Sequence, residues 1–267
     1  MKSIQGIGLS DVQNVYGGPE GDLWELIMGE QIHIGGFQSS NDLAQRANIA
    51  AGSSGVDLCC CNGAGMRFLV RFRNVARMTG VDATDRVIQR GKQRSHDQGM
   101  ADRIRFVKAD VCANGLPGAS ADFVWGEDAW CYVADKTRLI AEAARITTSG
   151  DTIAFTDWIE GPTPLSDAEA HRFLKFMKFP NIQDISGYSA LLKQFGCKVL
   201  VTQDTGRFAP CIDLYLQMLN MQFTYDALRI IGFDDNMMQA LSTEMIFAQQ
   251  LAHENKIVQG LFVARKD

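Results

Sequence analysis

The chain has 267 residues and a formal net charge of −5, with 46% hydrophobic and 21% charged residues. That is globular composition, with length for one large domain or two small ones and a core that needs no staples. It gives no overall basic field for nucleic acid, no run of about 18 apolar residues to cross a membrane, and no apolar leader in the opening MKSIQGIGLSDVQ. Seven cysteines in no regular framework point to reduced thiols and a cytoplasmic setting.

The first 52 residues mix a glycine-rich stretch, VQNVYGGPEGDLWELIMGEQIHIGGFQ, with SSNDLAQRANIAAG, which predicts a capped helix ending at Gly52. Alternation follows. GVDLCC reads as strand, GMRFLVRFRNVA as helix, ARMTGVDAT as strand and DRVIQRGKQRSHDQGM as a polar-faced helix. RIRFVKADV and ADFVWGED are strands, DKTRLIAEAARIT has helical spacing at Leu139, Ala143 and Ile146, and GDTIAFTDWI is a strand behind a glycine turn. This βαβα order predicts an α/β, Rossmann-like parallel sheet with helices on both faces. SGYSALLKQFG then predicts a helix, CKVLVTQD a sixth strand, and QGLFVAR a closing strand. Residues 162–185 and the methionine-bearing block 209–256 are insertions leaving from strand ends, where open α/β sheets bind ligands. One domain with helical lid insertions is therefore expected. Arg67, Arg71, Arg73 and Arg77 read as a solvated helix face.

The stretch GVDLCCCNGAGMRFL has the layout of a strand, a glycine-bearing turn and a helix start. Such a turn aims backbone N–H groups at a ligand, and Gly63 and Gly65 let the chain approach it closely. The G-x-G-x-x-G spacing of dinucleotide sites is absent, because Phe68 stands three places after Gly65. Asp57 before the turn would repel a pyrophosphate and suits a cationic ligand carrying an amine and a sulfonium. Asp82 ends the second strand, where a carboxylate can accept from two ribose hydroxyls, and Asp110 ends the third, within reach of an adenine amino group. Any one acid alone could be a helix cap or a solvated loop residue. Three at successive strand ends, in register with a glycine turn, point to a site.

These pieces resemble class I S-adenosylmethionine-dependent methyltransferases from about Tyr16 to Asp267. VDLCCCNGAG is similar to that family's first motif, usually LDxGxGxG, while GVDAT and VKADV resemble its second and third. IMGEQIHIGGF and WGEDAWCYVADK further resemble the sarcosine and dimethylglycine N-methyltransferase group. The resemblance implies a mostly parallel seven-stranded sheet with an antiparallel last strand. It implies S-adenosyl-L-methionine as cofactor, with Tyr16, Gly35, Asp57, Cys59, Cys61, Gly63, Asp82, Ala83, Asp110, Val111 and Glu127 beside it. It also implies a small-molecule methyl acceptor, most simply an amine nitrogen, with an oxygen or carbon of a small metabolite as the alternative, and it allows a homodimer; charge and hydropathy already speak against nucleic acid and membrane as partners.

Cys59 and Cys61 stand where that family usually has glycine. Cysteine is a mild, weakly polar replacement, free of strain if the backbone lies in ordinary β or bridge space. No C-x-x-C and no second ligand pair accompany them, so no metal site is expected; core packing with ligand contact is the favoured role, and redox sensing an alternative. Candidate proton acceptors are Asp128, Tyr132 and His33, although an amine arriving neutral needs none. Trp130 is a candidate acceptor wall, with core packing as the alternative; Arg172 and Arg207 are candidate carboxylate anchors, with ion pairs as theirs. Two other functions compete: a nicotinamide-dependent oxidoreductase, disfavoured by the missing glycine spacing, and a non-catalytic cofactor-binding protein.

Overall fold

Apolar runs in the strands and glycine-bearing turns between them set the architecture of the computed structural model, which describes residues 1–267. Before the main sheet come β1 (Lys2–Ser3), α1 (Leu9–Tyr16), α2 (Pro19–Met28) and α3 (Gly36–Arg46). Strands and helices then alternate: β2 (Ser54–Leu58), α4 (Ala64–Phe72), β3 (Arg77–Asp82), α5 (Asp85–Asp97), β4 (Ile104–Lys108), β5 (Ala121–Glu127), α6 (Lys136–Ile146) and β6 (Thr147–Glu160). After β6 come α7 (Asp167–Met177), β7 (Asn181–Ile182), α8 (Ile185–Gln194) and β8 (Cys197–Asp204). Helices α9 (Phe208–Met221), α10 (Thr224–Ile230) and α11 (Asp235–His253) precede the final strand β9 (Ile257–Lys266).

The seven-stranded sheet has the order β4-β3-β2-β5-β6-β9-β8. Strands β2 to β6 pair in parallel, and β9 runs antiparallel between β6 and β8, as expected. The order reverses between β2 and β5, which opens a crevice at their carboxyl ends. Central strands are buried on both faces, so they read as apolar runs: Val56, Leu58, Val124, Ile153 and Phe155 are all buried. Two apolar layers cover the sheet, one under α6 and α8, the other under α3 to α5. A third cluster joins α1 and α2 to α7 and the α9–α11 block through Trp24, Ile27, Phe173, Phe208, Ile212 and Leu251.

Two local expectations change. The helix in SSNDLAQRANIAAG starts earlier, at Gly36 behind left-handed Gly35, and stops at Arg46, because Asn48 and Gly52 take positive φ of 50° and 80°. Arg67 does not lie on a solvated face. It is buried, and its guanidinium donates to the Asn62 carbonyl (2.6 Å) and to Glu30 (2.9 Å).

Candidate active site

The turn after β2 winds through alternating left-handed residues: Cys59 at φ 65°, Cys61 at 48° and Gly63 at 74°. The two cysteines therefore do not lie in the β or bridge space that would leave them free of strain. Their amides explain why the chain holds this shape. Cys59 and Cys60 both donate to the Val81 carbonyl (2.9 and 3.1 Å), and Cys61 donates to Asp82 Oδ2 (2.9 Å). The loop is thus folded over the end of β3. Cys60 is buried over Gly80, where a Cβ would lie 2.5 Å from its sulfur. Asn62 accepts from the Ala64 amide and donates to the Glu30 carbonyl, so the start of α4 is tied to the segment after α2. All seven cysteines are free thiols, and burial pushes the pKa values of Cys59, Cys60 and Cys61 up, which keeps them protonated.

Over this turn lies a cavity of about 240 Å³. Register puts its acids side by side: Asp57 faces Gly80 and Trp125 across the sheet, and Asp82 is two residues on from Gly80. Asp57, Asp82, Asp110 and Glu127 all line it, from the ends of four adjacent strands. Asp82 receives the Cys61 and Thr84 amides (2.9 Å each), and Asp110 receives the Cys112 amide (2.8 Å). Burial pushes the Asp57 carboxyl well up, helped by the charges of Glu127 and Asp82. Burial also raises Asp82, against the opposing pull of its amide donors. Such a set is relieved by a cationic ligand.

Gly65 shows why no side chain stands at its position in the first turn of α4. A Cβ there would come within 2.3 Å of Glu127 Oε2 and 3.3 Å of Trp125 Nε1, which is buried without a hydrogen-bond partner. Glu127 is held in place from the other side. Ser40 donates to its Oε1 (2.5 Å), and His33 Nε2 lies 3.4 Å from the same oxygen. The cradle therefore fits a ligand with an amine and a sulfonium at α4 and a nucleoside toward Asp82 and Asp110.

The other end of the cavity is aromatic. Tyr16 donates to the Tyr132 hydroxyl (2.9 Å), the rings meet edge to face, and Tyr132 packs edge to face on Phe179. Burial pushes both phenols well above their usual range. Asp128 also lines the cavity, but both of its oxygens accept from Gln259 (2.8 and 3.1 Å) and one accepts from the Ile34 amide (2.8 Å). Its geometry is that of a clasp between the ends of β5 and β9 and the His33 loop, not of a free base.

Of the expected site residues, Tyr16, His33, Asp57, Cys59, Cys61, Asp82, Ala83, Asp110, Val111, Glu127, Asp128 and Tyr132 line this cavity. Five do not. Gly63 caps α4 and makes room for Phe106, and Gly35 packs against Arg207 and Ser39. Trp130 is wholly buried, stacks on Phe155 at 4.0 Å and donates to the Leu58 carbonyl, so it is core. Arg172 pairs with Glu244 (3.0 Å) and lies over the Phe247 ring, while Arg207 pairs with Asp42 (2.7 Å). Neither arginine reaches the site. Sequence reasoning missed Glu30, Asn62 and Arg138 as lining residues. The small residue pair Ala64–Gly65 at a helix start was the one available signal for the cradle's floor.

Comparisons with known proteins agree with this geometry. Residues 56–155 match the family model described as a methyltransferase domain. Among curated relatives, 27-O-demethylrifamycin SV methyltransferase of Amycolatopsis mediterranei is 24% identical over 70% of this chain and 74% of its own. Sterol 24-C-methyltransferase of Eremothecium gossypii is 25% identical over 68% of this chain, which spans about half, 53%, of that enzyme. The fold matches a protein from Galdieria sulphuraria assigned as a sarcosine dimethylglycine methyltransferase, with TM-score 0.76, 19% identity and coverage of 87% and 86%. It also matches phosphoethanolamine N-methyltransferase 2 of Haemonchus contortus, solved with S-adenosyl-L-methionine, with TM-score 0.84, 17% identity and coverage of 96% of this chain and 59% of that one. With this strand order, a glycine cradle at the start of α4 and acids at the neighbouring strand ends, residues 56–155 carry a methyltransferase domain, and the fold is that of the class I S-adenosylmethionine-dependent methyltransferases.

Proposed function

We propose that the protein methylates an amine nitrogen of a small molecule, held at the Tyr16–Tyr132 end of the cavity under a lid formed by residues 162–185 and 209–256. S-adenosylmethionine, when bound, supplies a methyl group already activated for transfer. The residues of this chain then have mainly to position and to stabilise charge. The observation that carries the amine reading is the cavity's charge and hydrogen bonding. Asp57, Asp82, Asp110, Glu127 and Asp128 line it, and Asp128 is engaged by its hydrogen bonds rather than free as a base. A neutral amine needs no base before attack, and the cation it becomes is favoured by acids and tyrosine faces. A glycine-like acceptor fits less well, because Arg172 and Arg207, the candidate anchors for its carboxylate, are engaged elsewhere.

A second reading, transfer to a hydroxyl oxygen, is favoured by one contact: His33 lies beside Glu127, a pair suited to take a proton. Labelled S-adenosylmethionine offered with amines, alcohols and carbon nucleophiles separates the two. Label on amines, retained in His33→Ala, supports the first reading. Label only on hydroxyls, lost in His33→Ala, would replace it with the second.

A further inference from the structure

The molecule has a second cavity, of about 420 Å³, enclosed by α2, α7 and the α9–α11 block rather than by the sheet. Its lining is mostly apolar, Leu23, Trp24, Phe176, Leu216, Leu241 and Met245 among it, with the uncharged polar side chains of Gln217, Asn220, Ser242 and Gln249 interspersed. An apolar cavity of about 150 Å³ is enough to bind benzene, so this space takes a body of roughly two to three rings or an extended alkyl chain. Its methionines, Met221, Met238 and Met245, suit an adaptable apolar surface. One wall departs from this chemistry. Glu20 lines the cavity as a half-buried carboxylate that makes no hydrogen bond or ion pair with any side chain or backbone donor, whereas Asp213, the other acid, is taken by Gln249 (2.6 Å) and His253 (2.8 Å).

Glu20 also stands on the side of the second cavity toward the first, although no residue lines both. It sits in the first turn of α2, four residues after Tyr16, which lines the first cavity. Its charge bears on both the Tyr16 and Tyr132 hydroxyls. A molecule with its polar end near these tyrosines would therefore have its apolar part beside α2. Resting on the amine reading above, we infer that the acceptor is an amphiphilic amine: the second cavity holds its apolar body, and the Glu20 carboxylate faces its amine end. A carboxylate at an apolar wall, offset here only by the charge of Lys178, is costly unless a ligand pairs with it. An alkylammonium supplies both the charge and the apolar surface, and by passing its proton to Glu20 it reaches the methyl group as the neutral amine.

Calorimetry on the protein saturated with S-adenosylhomocysteine, titrated with decylamine, decanol and propylamine, tests this. Decylamine is expected to bind one to one, about tenfold or more tighter than decanol, with propylamine far weaker. Ser242→Trp and Leu216→Trp, which fill the cavity from two different helices, are expected to weaken decylamine about tenfold while leaving S-adenosylhomocysteine affinity and the melting temperature near the parent. Glu20→Gln is expected to remove the preference for decylamine over decanol. Decylamine binding that ignores both tryptophan variants, or a preference that survives Glu20→Gln, overturns the inference. Methylation of short amines alongside such a result would leave the proposed function standing. Binding as expected with no amine methylated would retain the apolar amine site and sink the proposed function.

Discussion

Replacing Cys59 and Cys61 by glycine is expected to stabilise this protein relative to replacing them by alanine. Both residues sit in the left-handed region, at φ 65° and 48°. A residue with a Cβ pays about 1–2 kcal/mol to be there, and glycine does not. Glycine instead loses about 0.5–1 kcal/mol more backbone entropy on folding. The balance favours glycine by about 0.5–1 kcal/mol per site, and by about 1–2 kcal/mol for the pair. The alanine control is essential, because both substitutions remove the sulfur, and only the glycine change removes the strain. Cys59 packs against the sheet core under α6, so either change alone also sacrifices some burial. For a chain of this size the difference corresponds to roughly 2–4 °C in melting temperature. The assay is thermal unfolding of Cys59→Gly/Cys61→Gly beside Cys59→Ala/Cys61→Ala, with calorimetric titration of S-adenosylmethionine on both. Cofactor binding is expected to persist in the glycine pair, because the amides that fold the loop onto Val81 and Asp82 are unchanged. An alanine pair as stable as the glycine pair would refute the strain argument. A glycine pair that binds cofactor yet loses methyl transfer would give the thiols a chemical role.

Asp82→Ala removes a ligand-facing carboxylate and also the acceptor for the Cys61 and Thr84 amides, so cofactor affinity is expected to fall by about 1.5–3 kcal/mol in calorimetry, with a smaller loss for Asp82→Asn. Gly65→Ala puts a methyl group 2.3 Å from Glu127 Oε2 and is expected to weaken cofactor binding at least tenfold with little change in melting temperature; unchanged affinity would remove Glu127 from the cradle. Asp157 is buried, and its pKa is raised from 3.8 to about 6, with the Lys136 charge and the Tyr188 hydroxyl opposing burial. The native state thus keeps a proton that the unfolded chain releases, so this group's contribution to stability falls as pH rises from about 4 to 6. The urea-measured penalty of Asp157→Asn should therefore be smaller at pH 7 than at pH 4, by up to about 3 kcal/mol, and a penalty that grows with pH would contradict the assignment.

What could be read in the sequence was whatever rests on local spacing. The strand–turn–helix of the cofactor loop and the acids at strand ends express short-range patterns, whereas the antiparallel final strand came only with the family resemblance. The cysteines at the two glycine positions were legible as departures, though not their left-handed backbone, since a mild side chain does not reveal its dihedrals. Illegible were contacts that close over long separations. Trp130 looked like an acceptor wall because it stands among acids and aromatics. A short helical turn instead folds it back beneath β2, where Leu58 takes its N–H. Arg172 and Arg207 looked available because their partners, Glu244 and Asp42, lie 72 and 165 positions away. Arg67 looked solvated on helical periodicity alone, yet Glu30 and the turn carbonyl of Asn62 enclose it.

The same long-range closure explains how the two ends of the chain come to build one site. Gln259 lies on β9 with no exposed surface, and its amide donates to Asp128 and to the Ile34 carbonyl, while Thr205 donates to its oxygen. Thr205 stands just before α9, and Ile34 follows His33 in the loop that lines the cavity. One buried side chain therefore joins the root of the α9–α11 block, the end of β5 and the His33 loop. Asp128 completes the joint at φ 50°, a strained setting that its two donors, the Ile34 amide and Gln259, compensate. Movement of the helical block would be felt first at His33 and Glu127, the residues beside the cofactor cradle. In this fold the last strand to be added is what fixes the first loop at the site, and a β9 inserted antiparallel between β6 and β8 is the arrangement that puts Gln259 there.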